Sequence, residues 1–243
     1  MFASFVVVLS FISVIPVPQK ILPLWDSSSL RWFCIMLPAV GLVFGLLWFA
    51  VWKVLTLADV LSPVLRGFIM MMFTLCLTGG LHMDGLMDTC DAVFSRRDRD
   101  TRLKILSDTH AGSFAVMGCV IILMSKTLLF AEISGHCADI FFIPVYSRLG
   151  MAVMLNDLPF AKSQGLAVIL GASRDNRSNI FFALMALGLF LSGGKIIACA
   201  FWLCLALWCR MCIKIFGGIT GDLLGAFVEV SEVIMLGVIV SCI

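Results

Sequence analysis

The sequence predicts an all-α, polytopic integral membrane bundle of about seven transmembrane helices plus a short N-terminal apolar helix, with the chain 1–243 as a single transmembrane domain. Three observations carry this. Apolar residues make up 61% of the chain and charged residues only 13%, against roughly 25% charged in a soluble domain, so too few charges exist to coat a water-facing surface. The mean hydropathy is +1.10, and the apolar residues fall in long runs, matching the ~20 per helix that a bilayer core requires. Backbone groups in lipid must bond internally, and the alternating period of a membrane barrel is missing, so the runs are read as helices.

Taken in order, Met1 to Ile15 is apolar but lacks the positive segment of a secretory signal. Pro16 and Pro18 follow where a cleavage site of small residues would stand, so the segment is read as a retained helix, short for a span and suited to an interfacial or re-entrant position. Spans are read at Arg31 to Trp52, Leu61 to Leu81, Gly112 to Ala131, Ile140 to Asn156, Ser178 to Ser192, Ile196 to Ile213 and Leu223 to Ile243.

The loops test this reading through the bias of Lys and Arg toward the cytoplasmic side. With the segment after Ile15 inside, Lys20, Arg31, Arg96, Arg97, Arg99, Arg102, Lys104, Lys162, Arg174, Arg177, Arg210 and Lys214 all fall inside, twelve in number. Only Lys53, Arg66 and Lys195 fall outside, and Lys126 and Arg148 lie within spans. The split supports both the span count and the orientation of a multi-pass membrane protein. Among the ten cysteines, those inside apolar runs act as small hydrophobes, so free thiols are expected, including the Cys209 to Cys212 pair.

Acidic residues number fifteen, and seven gather in three places that this topology brings to the cytoplasmic side. The first is Leu77-Thr78-Gly79-Gly80-Leu81-His82-Met83-Asp84-Gly85-Leu86-Met87-Asp88-Thr89-Cys90-Asp91. Asp84, Asp88 and Asp91 are spaced i, i+4, i+7, which at about 100° per residue lays them on one helical stripe. No Lys or Arg stands between Arg66 and Arg96 to pair with them. Carboxylates at a membrane edge are costly and functional by default, and hard oxygen ligands suit Mg²⁺, with Mn²⁺ as the alternative. His82 lies about 160° from Asp84 by the same arithmetic, so it packs or supports the site more readily than it ligates.

The second place is Asp108, after a basic loop that can neutralise phosphate or simply anchor on anionic lipid. The third is Gly217-Gly218-Ile219-Thr220-Gly221-Asp222, followed by Glu229 and Glu232 in an otherwise apolar helix. Glycines at a helix start let backbone N–H groups approach an anion. The chain contains neither a Walker loop nor a hydrolase elbow. Carboxylates, a divalent metal and a glycine turn point to transfer chemistry on a diphosphate.

The two long motifs carry a more specific likeness. Leu77 to Asp91 resembles the LTGGLHxDGLxDTxD signature of the cobalamin synthase family, the adenosylcobinamide-GDP ribazoletransferases, and Gly217 to Glu232 resembles that family's GGxTGDxxGAxxExxE element. Phe11 to Pro18 and Leu30-Arg31-Trp32-Phe33 are similar to its opening, and the likeness spans nearly the whole chain. It implies that α-ribazole, or its 5′-phosphate, attacks the diphosphate of adenosylcobinamide-GDP and that GMP leaves, with Mg²⁺ bound and the site facing the cytoplasm. It further implies Asp84, Asp88, Asp91, Asp222, Glu229 and Glu232 as metal or diphosphate ligands. Asp91 and Asp108 would orient or deprotonate the attacking hydroxyl, and Gly79, Gly80, His82, Lys162, Gly218, Thr220 and Gly221 would bind substrate.

The chain departs from the family pattern at Ala92, at Asp108-Thr109-His110-Ala111-Gly112 and at Lys162, where the family has arginine. Lysine forgoes the bidentate phosphate grip of arginine. Substrates and membrane lipid are the expected partners, nucleic acid is not, and a homo-oligomer is compatible. The alternatives are a CDP-alcohol phosphotransferase, whose motif spacing differs, and a cation transporter, which would place its acids at the midplane.

Overall fold

A computed structural model describes residues 1–18, 30, 32–57, 61–133, 138–171, 176–191 and 195–242. Among them are eleven α-helices: α1 (Phe2–Ile12), α2 (Phe33–Leu57), α3 (Pro63–Leu77), α4 (Leu81–Phe94), α5 (Arg99–Ile105), α6 (Ser113–Glu132), α7 (Phe142–Asp157), α8 (Leu166–Leu170), α9 (Asn176–Leu191), α10 (Lys195–Phe216) and α11 (Gly221–Ser241). A 3-10 turn, Ala138–Phe141, leads into α7, and the described residues hold no strand longer than an isolated bridge. Of the residues read above as cytoplasmic cations, Lys20, Arg31 and Arg174 lie outside the described residues, as does the side chain of Arg177.

The helical membrane character stands, and the span count changes. Among the described residues, five helices are long and apolar enough to cross a bilayer: Phe33–Leu57, Ser113–Glu132, Ala138–Asp157, Lys195–Phe216 and Gly221–Ser241. A sixth span arises only if α3 and α4 are taken together across a 92° bend. The segment expected as one span from Leu61 to Leu81 therefore breaks, because α3 stops after 15 residues. The expected span Ser178 to Ser192 falls on α9, whose 16 residues rise about 24 Å at 1.5 Å each, short of a ~30 Å core.

α2 runs against α7, α3 against α6, and α4 against α11. One core threads these pairs, with Phe44, Trp48, Phe130, Tyr146, Phe201 and Phe227 buried. Polar chemistry also enters this core. Lys126 of α6 and Arg148 of α7 are 2% and 1% exposed, and Glu229 and Glu232 of α11 are 4% and 2% exposed. The Lys126 ammonium stands 2.7 Å from Glu229 and 2.8 Å from Glu232, while Arg148 pairs with the other oxygen of Glu232 and lies over the Phe44 ring. Two positive and two negative groups thus balance inside the bundle. Every described cysteine is a free thiol.

Candidate active site

The site begins at the turn between α3 and α4. The N–H groups of Gly79 and Gly80 bond back to the carbonyls of Cys76 and Leu75 at 3.0 and 3.1 Å, closing α3. Both glycines have positive φ, 62° and 78°, a region strained for any residue with a side chain. Gly79 and Gly80 thus serve the turn that aims α4. Packing then decides what α4 meets. A Cβ at Gly85 would stand 2.8 Å from the Asp222 carbonyl oxygen, and one at Gly225 would stand 3.2 Å from the His82 Cα. Glycine on both helices lets α4 and the start of α11 touch backbone to backbone.

That contact sets Asp84 and Asp88 beside Asp222. The Asp88 carboxylate lies within electrostatic reach of Asp84, Asp222, Asp91 and Asp108. Asp84 is exposed, whereas Asp88 and Asp222 are half-buried. The nearby positive charge is Lys162, which acts on Asp222 and donates to the Ser107 hydroxyl. Thr220 caps α11 by accepting from the Leu223 N–H at 3.3 Å, and its hydroxyl donates to Asp222 at 3.3 Å.

Two cavities meet at Gly221 and Asp222. One, of about 90 Å³, has an apolar wall including Phe11, Phe33 and Met151, with His82, Asp84 and Asp222 as its polar part. The other, of about 150 Å³, is lined by Lys162, Gln164, Thr220, Gly221 and Asp222. The N-terminus of α11 opens between them and favours an anion. His82 is buried, and its Nε2 has no hydrogen-bond partner among the described residues. It lines the same cavity as Asp84, so its angular distance on the helical wheel does not keep it from the site.

Other expected site residues have different occupations. Asp91 accepts from the Gly112 N–H at 2.6 Å and the Ala115 N–H at 2.9 Å. Both its oxygens cap the first turn of α6, and its charge still reaches Asp88. Glu229 and Glu232, also expected as ligands, are held by Lys126 and Arg148, which neutralise their charge within the core. Gly218 makes room for backbone rather than for an anion: a Cβ there would stand 2.4 Å from the Pro159 carbonyl oxygen, where Ile219 and Phe160 form a short parallel bridge.

Asp108 is exposed and accepts from the His110 backbone N–H at 3.0 Å, with the His110 imidazole at 2.8 Å. That side-chain hydrogen bond holds the Asp108 carboxyl below the usual carboxylate range. In the basic loop, the Arg99 guanidinium donates to the carbonyls of Phe216 and Ala161 at 2.7 and 3.3 Å, pinning α5 to the end of α10 and to the segment before Lys162. Arg99 is therefore an anchor.

Among the described residues no three side chains of His, Cys, Asp or Glu converge tightly enough to hold a metal alone. The donor set still fits a hard cation of the Mg²⁺ kind, which usually takes one or two carboxylates and completes its shell with water and substrate phosphate. Asp84, Asp88 and Asp222 are the carboxylates free for that purpose; none of them forms an ion pair with Lys or Arg among the described residues.

The chain matches the family described as Cobalamin-5-phosphate synthase over residues 4–240. The adenosylcobinamide-GDP ribazoletransferase of Halalkalibacterium halodurans is 33% identical over 242 residues, covering 94% of this chain and 91% of that one. The protein of the same name from Geobacillus thermodenitrificans is 31% identical, covering 98% and 95%. A third, from Clostridium botulinum strain Alaska E43, is 29% identical, covering 97% and 96%. No solved structure matches the chain.

Proposed function

Because the chain belongs to the Cobalamin-5-phosphate synthase family, we propose that it is an adenosylcobinamide-GDP ribazoletransferase, a membrane transferase acting in cobalamin assembly. The hydroxyl of α-ribazole, or of its 5′-phosphate, attacks the phosphorus carrying cobinamide. The bond from that phosphorus to the GMP oxygen breaks, GMP leaves, and the hydroxyl proton passes to a carboxylate. The observation that carries the site assignment is the meeting of Asp84 and Asp88 with Asp222 beside Lys162, at the junction of two cavities.

The polar cavity suits the diphosphate. Lys162 and the N-terminus of α11 supply positive potential there, as phosphoryl transfer requires. The apolar cavity, walled by Phe11, Phe33 and Met151, suits a flat heteroaromatic base. Asp84, Asp88 and Asp222 would hold Mg²⁺, which when bound neutralises charge on the diphosphate. Asp108, whose charge reaches Asp88, would receive the hydroxyl proton. The charge pattern of the loops supports a prokaryotic inner membrane location with this end in the cytoplasm. The deeper acids are balanced by Lys126 and Arg148, which disfavours a cation path.

The test is GMP release by the purified protein from adenosylcobinamide-GDP, supplied with each ribazole form in turn, with Mg²⁺ or with EDTA. The expected result is GMP formed together with the cobalamin product, and only with Mg²⁺ present. Failure to release GMP with either acceptor would refute the activity. Equal release in EDTA would refute the metal assignment alone.

A further inference from the structure

The helix that carries the aspartates has a second face. Asp84, Asp88 and Asp91 share one stripe of α4, and at about 100° per residue Leu86, Thr89 and Val93 fall on the other side, with Phe94 at the flank, about 60° from Asp91. That rear face forms an apolar groove of about 400 Å³ with Leu207, Trp208 and Met211 of α10 and Ile234 of α11. Phe94 is 56% and Leu207 59% exposed. The Trp208 indole N–H donates to the Leu223 carbonyl at 3.1 Å, so its ring offers the groove only apolar surface. Thr89 lines the same groove, and its buried hydroxyl has no partner among the described residues.

One end of the groove is cationic. Leu207 also borders a hollow lined by Arg210 and Lys214, which are i, i+4 on α10 and thus neighbours on its surface. Both are exposed, and neither has an ion-pair partner among the described residues. Arg96 and Arg97 follow Phe94 after Ser95. The bond from Arg99 to the Phe216 carbonyl ties that loop to the end of α10, two residues beyond Lys214.

We infer that this groove is a binding site for an anionic phospholipid, the acyl chain lying behind α4 and the phosphate held by Arg210 and Lys214. The membrane supplies the occupant, and the charge at one end selects its headgroup. Basic residues at the cytoplasmic surface attract anionic lipid, and an acyl chain fills an apolar groove that water would leave unsolvated. The lipid thereby backs the helix whose opposite face carries Asp84 and Asp88. The inference rests on the fold and not on the reaction.

The test uses the full chain, delipidated in a neutral detergent and titrated with phosphatidylglycerol or phosphatidylcholine, bound lipid being counted by native mass spectrometry. The expected result is a preference of about tenfold or more for phosphatidylglycerol, since each basic group near the surface contributes to the attraction. Arg210→Gln with Lys214→Gln abolishes the preference, and Leu207→Trp, which fills the groove, weakens phosphatidylglycerol binding. Equal binding of the two lipids by the native chain overturns the proposal without any variant. So does a preference that survives the double substitution. Turnover is not read, so the outcome is independent of the proposed reaction.

Discussion

Replacing Lys126 by Met tests the buried charge cluster most directly. The ammonium is 2% exposed and stands within 2.8 Å of both Glu229 and Glu232. Without it, two carboxylates face one guanidinium, and one negative charge is left uncompensated in an apolar core. Removing one partner of a buried pair costs ~3–5 kcal/mol. For a chain of this size each kcal/mol lowers the unfolding temperature by about 2–4 °C, so a fall of roughly 6–20 °C is expected in detergent, followed by the soluble fraction after heating. Adding Glu229→Gln restores neutrality with Arg148 and Glu232 left as a pair, and at least half of the loss should return. An unfolding temperature for Lys126→Met within about 2 °C of the native chain would refute the reasoning. So would a double variant no more stable than the single one.

Three further outcomes follow from the site. Asp84→Asn and Asp222→Asn should each lower GMP release by about 10²-fold or more, the scale of losing one electrostatic stabiliser of the transition state, with little change in unfolding temperature. Full turnover in either variant would remove that residue from the site. Asp91→Ala should instead destabilise by ~1–3 kcal/mol, because two N–H groups of α6 lose a charged acceptor, and Asp91→Asn should recover part of this by keeping one oxygen. A loss of turnover at unchanged stability would return Asp91 to the catalytic group. Gly85→Ala should reduce turnover tenfold or more by pushing α4 off the Asp222 backbone. Gly188→Ala, where a Cβ meets nothing within 4 Å, is the control, and equal effects of the two would refute the close-packing argument.

The aspartate stripe on α4 was legible because spacing alone defines a helical face, and the glycines of the two motifs announced close approach. What spacing cannot supply is the partner. Asp91 sits on the same stripe as Asp84, yet its acceptors were spoken for by N–H groups 21 and 24 residues away, a cap that needs the tertiary fold. Glu229 and Glu232 read as ligands because they are acids near a glycine turn. Their true partners left a trace in the sequence all the same: Lys126 and Arg148 were two cations stranded in apolar spans, and an intramembrane charge requires a counter-charge. The break within the expected Leu61 to Leu81 span was hidden for a different reason. Hydropathy continues across Thr78-Gly79-Gly80, while the positive φ values of the two glycines turn the chain by 92°.

The balanced quartet in the core also orders the birth of the protein. A ribosome makes α6 and α7 first, so Lys126 and Arg148 enter the lipid before their counter-ions exist. Among the described helices only α11, made after both, delivers Glu229 and Glu232, and the same helix delivers Asp222. A chain lacking α11 retains two unmatched positive groups in hydrocarbon, a costly state. Neutralising the core and bringing Asp222 to Asp84 and Asp88 are thereby one event.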